Sequence, residues 1–133
     1  MTAAESIAAY RASITEAQFQ RTVMDIARLY GWRIYHARPA MMRSGQWATA
    51  TDGDVGWPDL AMARKGRLIL AELKSQKGRV KPEQQAWISA LLGWSAPAGT
   101  GDTLTGHAKL LCGEFVIYLW RPSDLEDIKR VLR

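Results

Sequence analysis

Two acids and an amine stand at a spacing suited to metal-assisted chemistry. Asp59 follows Pro58, Glu72 comes thirteen residues later, and Lys74 lies two beyond it. Residues 57–64 and 67–74 are apolar on both faces, as buried central strands are, and they flank Lys65-Gly66, a two-residue turn. If the hairpin closes there, Arg64 faces Arg67, and the same register carried outward sets Asp59 directly opposite Glu72. Opposed residues share a sheet face with Cβ atoms about 5 Å apart, and Lys74 falls on that face too. Two like charges so placed repel by about 3 kcal/mol at an effective dielectric of about 20, so something must compensate. A divalent cation would do so, because Mg²⁺ takes one or two carboxylates and completes its shell with water and phosphate oxygens. The alternative is an ordinary ion cluster in which Lys74 neutralises one of the acids.

The elements that must position this trio follow from periodicity. Phe19, Val23, Ile26 and Tyr30 recur at helical spacing from Thr15 to Tyr30, and Gly31 stands where a left-handed C-cap belongs. Residues 32–36 are β-rich, and residues 37–56 form a long loop. Past the basic linker 75–81, Pro82 opens a helix whose apolar face is Trp87, Ile88, Leu91 and Leu92, ending at Gly93. Residues 94–113 have loop composition, and residues 114–120 form a strand. Ser123 and Glu126 then give the capping-box pattern of a last helix. The order α-β-β-β-α-β-α predicts an α/β fold: a mixed central sheet flanked by helices, its middle a hairpin and its last strand reached by a helical crossover.

The whole chain, residues 1–133, suits one domain. Hydrophobic residues at 47% and charged residues at 23% exclude a disordered or fibrous protein. One cysteine and two histidines exclude an internal disulfide framework and a four-ligand Cys/His zinc site, so any metal must rest largely on carboxylate oxygen. No stretch reads as a signal peptide or membrane span, so the cytoplasm is the expected compartment and no membrane is expected as a partner. Eighteen Lys and Arg against thirteen Asp and Glu give a formal charge of +5, which suits a polyanion such as DNA.

These residues resemble a family. Pro58-Asp59 followed by Glu72-Leu73-Lys74 matches the PD-(D/E)XK nuclease signature, and the surrounding segments are similar to its virus-type replication-repair branch, the VRR-NUC domain. The likeness runs through residues 15–20, Gly31-Trp32, Tyr35-His36, residues 56–60, residues 71–75, Pro82-Glu83-Gln84 with Trp87, and residues 120–124. It implies a small endonuclease of the kind frequent in bacteriophage genomes, acting in the host cytoplasm. The expected reaction is hydrolysis of DNA phosphodiester bonds with Mg²⁺ or Mn²⁺, selective for branched or Holliday-junction DNA. Asp59, Glu72 and the Leu73 carbonyl would hold the metal, and Lys74 would orient the attacking water and offset transition-state charge. Relatives acting on branched DNA pair their sites, which makes a homodimer an expectation.

The resemblance adds Glu16 as a helix-borne acid, although Ser13 and Glu16 also fit a capping box. It adds Gln84 as a contact at the site, and His36 near it, where a structural histidine is the alternative. Gln20 lies beside an apolar helix face and needs a polar partner. Lys77, Arg79, Lys81, Arg38 and Arg43 lie close enough in sequence to engage phosphates, and a solvated charged face is the other reading. A DNA-binding protein that keeps a nuclease scaffold without catalysis is the rival function, and an interaction scaffold with incidental charge is a third. Intact Asp59, Glu72 and Lys74 argue against the rival, since opposed acids repel phosphate, and the third reading predicts no nucleic-acid affinity in moderate salt.

Overall fold

The computed structural model describes residues 1–37, 40–48, 52–93, 105–110 and 113–133, with backbone alone at 40, 105–110, 113 and 114. In chain order the helices and strands are α1 (Ala3–Ser13), α2 (Glu16–Leu29), β1 (Arg33–Tyr35), β2 (Ala40–Met41), β3 (Trp47–Ala48), β4 (Leu60–Arg64), β5 (Arg67–Leu73), α3 (Pro82–Leu92), β6 (Thr105–Leu110), β7 (Gly113–Trp120) and α4 (Leu125–Leu132). It is a mixed α/β fold: a five-stranded sheet in the order β1-β4-β5-β7-β6, with helices on both faces.

The hairpin closes where the sequence places it. Arg64 pairs with Arg67 and Leu60 with Ala71. Lys65 and Gly66 both have positive φ, 48° and 77°, as the favoured two-residue turn requires. β5 then runs parallel to β7, which is reached through α3. Pleating sorts the strand residues into two cores. On one face Leu60, Met62, Ile69, Ala71, Leu73 and Trp120 meet Phe19, Val23 and Ala27 of α2 and Ile128 and Leu132 of α4. On the other, Leu70, Phe115 and Ile117 meet Ile88 of α3. Each Val, Leu, Ile, Met or Phe among them contributes about 1.5–3 kcal/mol on leaving water, which anchors α2, α3 and α4 on the sheet.

Four local features depart from the sequence expectation. Helix α1 precedes the expected first helix. It buries no residue and is held by a reciprocal capping box between Thr2 and Glu5. Residues 37–56 are not wholly loop, because β2 and β3 pair as a two-stranded ribbon. Nor is 94–113 wholly loop: β6 pairs antiparallel with β7 at the sheet edge, while residues 94–104 and 111–112 lie outside the described residues. Ser123 does not cap α4. It exchanges two hydrogen bonds with Gln76, a short 3₁₀ turn (Pro122–Asp124) precedes the helix, and Asp124 takes the N-cap position, accepting from Arg121 N–H instead.

The expected C-cap of α2 is a Schellman motif: Gly31 N–H donates to Arg28 O, Trp32 N–H donates to Ala27 O, and Gly31 has φ +80°. Trp32, thereby turned into the core, donates its indole N–H to the Leu132 carbonyl at 2.9 Å. Arg64 donates to the carbonyls of Tyr30, Leu132 and Arg133, and its guanidinium lies 4.6 Å from the Trp32 ring centroid. These donors take up carbonyls at the end of α4, which its own ladder leaves orphaned.

Candidate functional site

The trio sits at the end of β5, between the N-termini of α2 and α3. Asp59 is the residue just before β4, and its Oδ2 accepts the Leu73 N–H at 2.8 Å. That bond extends the hairpin register past the last ladder pair and holds Asp59 beside Glu72. Glu72 is 0% exposed and Lys74 4%, an unusual burial for two ionisable side chains. Lys74 Nζ lies 3.7 Å from Glu72 Oε1, and its backbone N–H donates to Trp120 O.

Gln84 reaches the site from the first turn of α3. Its Oε1 accepts the Lys81 N–H at 2.9 Å, and its Nε2 donates to Glu72 Oε1 at 2.7 Å. The capping bond fixes which end of the amide faces the carboxyl. Gly56 lets the preceding loop lie on that same turn. A Cβ there would stand 2.5 Å from the Glu83 carbonyl, and its φ of +99° is in any case glycine territory.

His36 braces Asp59 from the other side. Its Nδ1 donates to the Asp59 carbonyl at 3.0 Å while its Nε2 accepts from Gln20 Nε2 at 2.9 Å, the tautomer being set by the amide donor. Gln20 thus has the partner its place demanded, and α2 is tied through β1 to the start of β4.

Glu16 is the first residue of α2, and it is not its cap. Thr15 is the N-cap and Gln18 completes the box, while Ser13 Oγ donates to Tyr10 O. The capping alternative for Glu16 is therefore corrected: the box begins two residues later than the Ser13 pattern implied. Its carboxyl is raised above the ordinary range, first by partial burial. Lys74 and Lys81 oppose that shift and Asp59 adds to it, which sets Glu16 within electrostatic reach of the trio.

Glu72 is pushed up to about 9, first by burial, then by the Asp59 charge, against the pull of Lys74; contact with the Asp59 carboxyl and the charge of Glu16 raise it further. Glu72 Oε2 is buried with no hydrogen-bond partner. An acid so placed needs either a proton shared with Asp59 or a cation. Two hard carboxylate oxygens suit a hydrated Mg²⁺ or Mn²⁺ that keeps open positions for water and phosphate. Among the described residues no group of three or more His, Cys, Asp or Glu could hold a metal ion.

Of the basic residues singled out in the sequence, Lys81 lies within electrostatic reach of Glu16. Lys77, Arg79 and Lys81 are exposed on the segment from β5 to α3, and Arg43 is exposed at the turn of the β2–β3 ribbon. Arg38 lies outside the described residues. A buried Arg121, part of the matched segment 120–124 but given no role from sequence, donates to the carbonyls of Ser75 and Gly78 and shapes the turn that presents Lys77. An arginine directly after a strand and before Pro122 was its only signal.

No protein-family model, no curated protein and no solved structure matches this chain. Among the described residues no helix is long and apolar enough to cross a membrane.

Proposed function

We propose that the chain is a Mg²⁺- or Mn²⁺-dependent DNA endonuclease of the PD-(D/E)XK type, similar to the VRR-NUC branch. The observation that carries this reading is the buried Glu72 carboxyl in contact with that of Asp59, with Oε2 accepting no hydrogen bond from a protein donor and with Lys74 and Gln84 both on Oε1. A purely structural ion cluster would satisfy both oxygens, since an orphaned buried acceptor costs about 1–3 kcal/mol.

Asp59 and Glu72 would hold the cation, which supplies Lewis acidity and a water of lowered pKa. Asp59 is oriented for this by the Leu73 N–H and, through its backbone, by His36. Gln84 fixes the Glu72 carboxyl so that Oε2 faces inward. Lys74, buried beside them, orients the attacking water and offers a positive charge to the phosphorane as it forms, an effect strengthened by the low local dielectric. Glu16, at the start of α2 and within electrostatic reach of Asp59 and Lys74, would add a third acid to the site. Lys77, Arg79 and Lys81 suit phosphates flanking the cut.

The test is incubation of circular, linear and branched DNA with and without Mg²⁺ or Mn²⁺. Cleavage is expected only with metal. Asp59→Asn should reduce it below a few per cent while DNA affinity in EDTA stays equal or rises, because a negative charge leaves a phosphate groove. Metal-independent cleavage, or cleavage by Asp59→Asn at near wild-type rate, sinks the proposal.

A further inference from the structure

The sheet face that carries Asp59 and Glu72 is covered by α3 over β5 and β7, but its outer part is open. Register puts Tyr35 opposite Ala61 and Arg33 opposite Ala63, on the face that Ala61 shares with Leu70. Arg33, Tyr35 and Ala63 are all exposed there, Tyr35 at 63%. Tyr35 thus stands about 5 Å across the ladder from Ala61, which is itself about 7 Å along the strand from Asp59.

A second exposed aromatic lies on the other side of the same acid. Trp57 is two residues before Asp59, so their Cα atoms are at most about 7 Å apart, and it is 43% exposed. It is held rigidly. Trp87 of α3 meets it edge-on at 4.9 Å, and Trp87 donates its own indole N–H to the Asp54 carbonyl. Pro58 beside it is buried, and Gly56 lies flush on the first turn of α3. A large ring braced from behind and left open in front is poor design for a core residue and good design for a stacking surface.

Resting on the nuclease reading above, we propose that Trp57 and Tyr35 form a stacking shelf on either side of Asp59 for unpaired nucleotides, with Arg33 at its outer edge for phosphate. The site therefore takes single-stranded or splayed DNA in preference to continuous duplex. Aromatic platforms hold unpaired bases irrespective of sequence, and a stacked duplex offers no free base face to either ring.

Binding in EDTA is measured with a single-stranded oligonucleotide carrying 2-aminopurine and with the same strand annealed as duplex. Trp57→Ala and Tyr35→Ala should each weaken single-strand binding about 5- to 100-fold, the range expected for one stacked base, and lower the single-strand to duplex affinity ratio. The 2-aminopurine fluorescence change on binding should shrink with them. Trp57→Phe and Tyr35→Phe, which keep a ring, should hold the ratio within about threefold of wild type. An unchanged ratio in both alanine variants, or an equal loss on both DNAs, overturns the shelf. A wild type that binds the single strand through these rings but cleaves no DNA with metal overturns the nuclease reading and leaves the shelf standing.

Discussion

Glu72→Gln should make the metal-free protein more stable, and only above mildly acidic pH. In the folded chain the Glu72 carboxyl holds its proton up to about 9, against an ordinary value of 4.5. Between those values the native state binds a proton that the unfolded chain has released. Stability therefore falls as pH rises through that window, by at most about 1.4 kcal/mol per pH unit, and is recovered in full below 4.5. At pH 7 the accumulated loss has a ceiling of about 3 kcal/mol. Glutamine copies the protonated acid: its oxygen accepts from Gln84 Nε2, its amide donates towards Asp59, and it never ionises. Urea unfolding in EDTA should show the variant level with wild type near pH 4.5 and ahead by up to about 3 kcal/mol at pH 7, equivalent to about 10 °C in Tm. Added Mg²⁺ should close the gap by stabilising wild type alone. An advantage that is the same at pH 5 and pH 8.5, or a variant less stable throughout, would refute the reasoning from burial.

Lys74→Met should lower single-turnover cleavage by about 100-fold or more if the amine serves the transition state. Glu16→Gln should reduce cleavage without changing Tm, because Thr15 and Gln18 carry the cap; a lower Tm with intact activity would return Glu16 to a structural role. Gly56→Ala should destabilise by about 2 kcal/mol or more, since the added carbon meets the Glu83 backbone and the residue keeps φ +99°; unfolding within about 0.5 kcal/mol of wild type would show that the loop moves aside.

The hairpin and its register from Leu60 with Ala71 to Arg64 with Arg67 were legible because a two-residue turn and period-2 pleating leave no freedom once the turn is located. Gly31 and Pro82 marked helix boundaries for equally local reasons. Helix α1 was not legible. Its composition is alanine-rich and it presents no apolar stripe, so its only sequence mark was Thr2 with Glu5. Strand β6 hides in a segment rich in glycine and threonine and is recruited by the free edge of β7, a tertiary effect that local composition does not encode. At the site, residue types announced the acids and the lysine, but the brace of His36 and Gln20 needed three dimensions, because its members come from two elements and close on a backbone carbonyl. Ser123 failed as a cap for a similar reason: Gln76, 47 residues away, claims both its hydroxyl and its N–H.

The bond from Trp32 to Leu132 spans 100 residues and fixes an order of events during synthesis. Until Leu132 has left the ribosome, the Trp32 indole N–H lacks its acceptor, the Arg64 guanidinium lacks two of its three carbonyl acceptors, and Ile128 and Leu132 are missing from the core beneath α2. The β4–β5 hairpin can form early, since its contacts are local. The layer over it cannot close until α4 arrives, so the nascent chain carries that apolar face open until then. Ribosome-bound chains halted before residue 125 should accordingly be cut readily by protease and bind chaperones, and chains in which Leu132 has emerged should resist both.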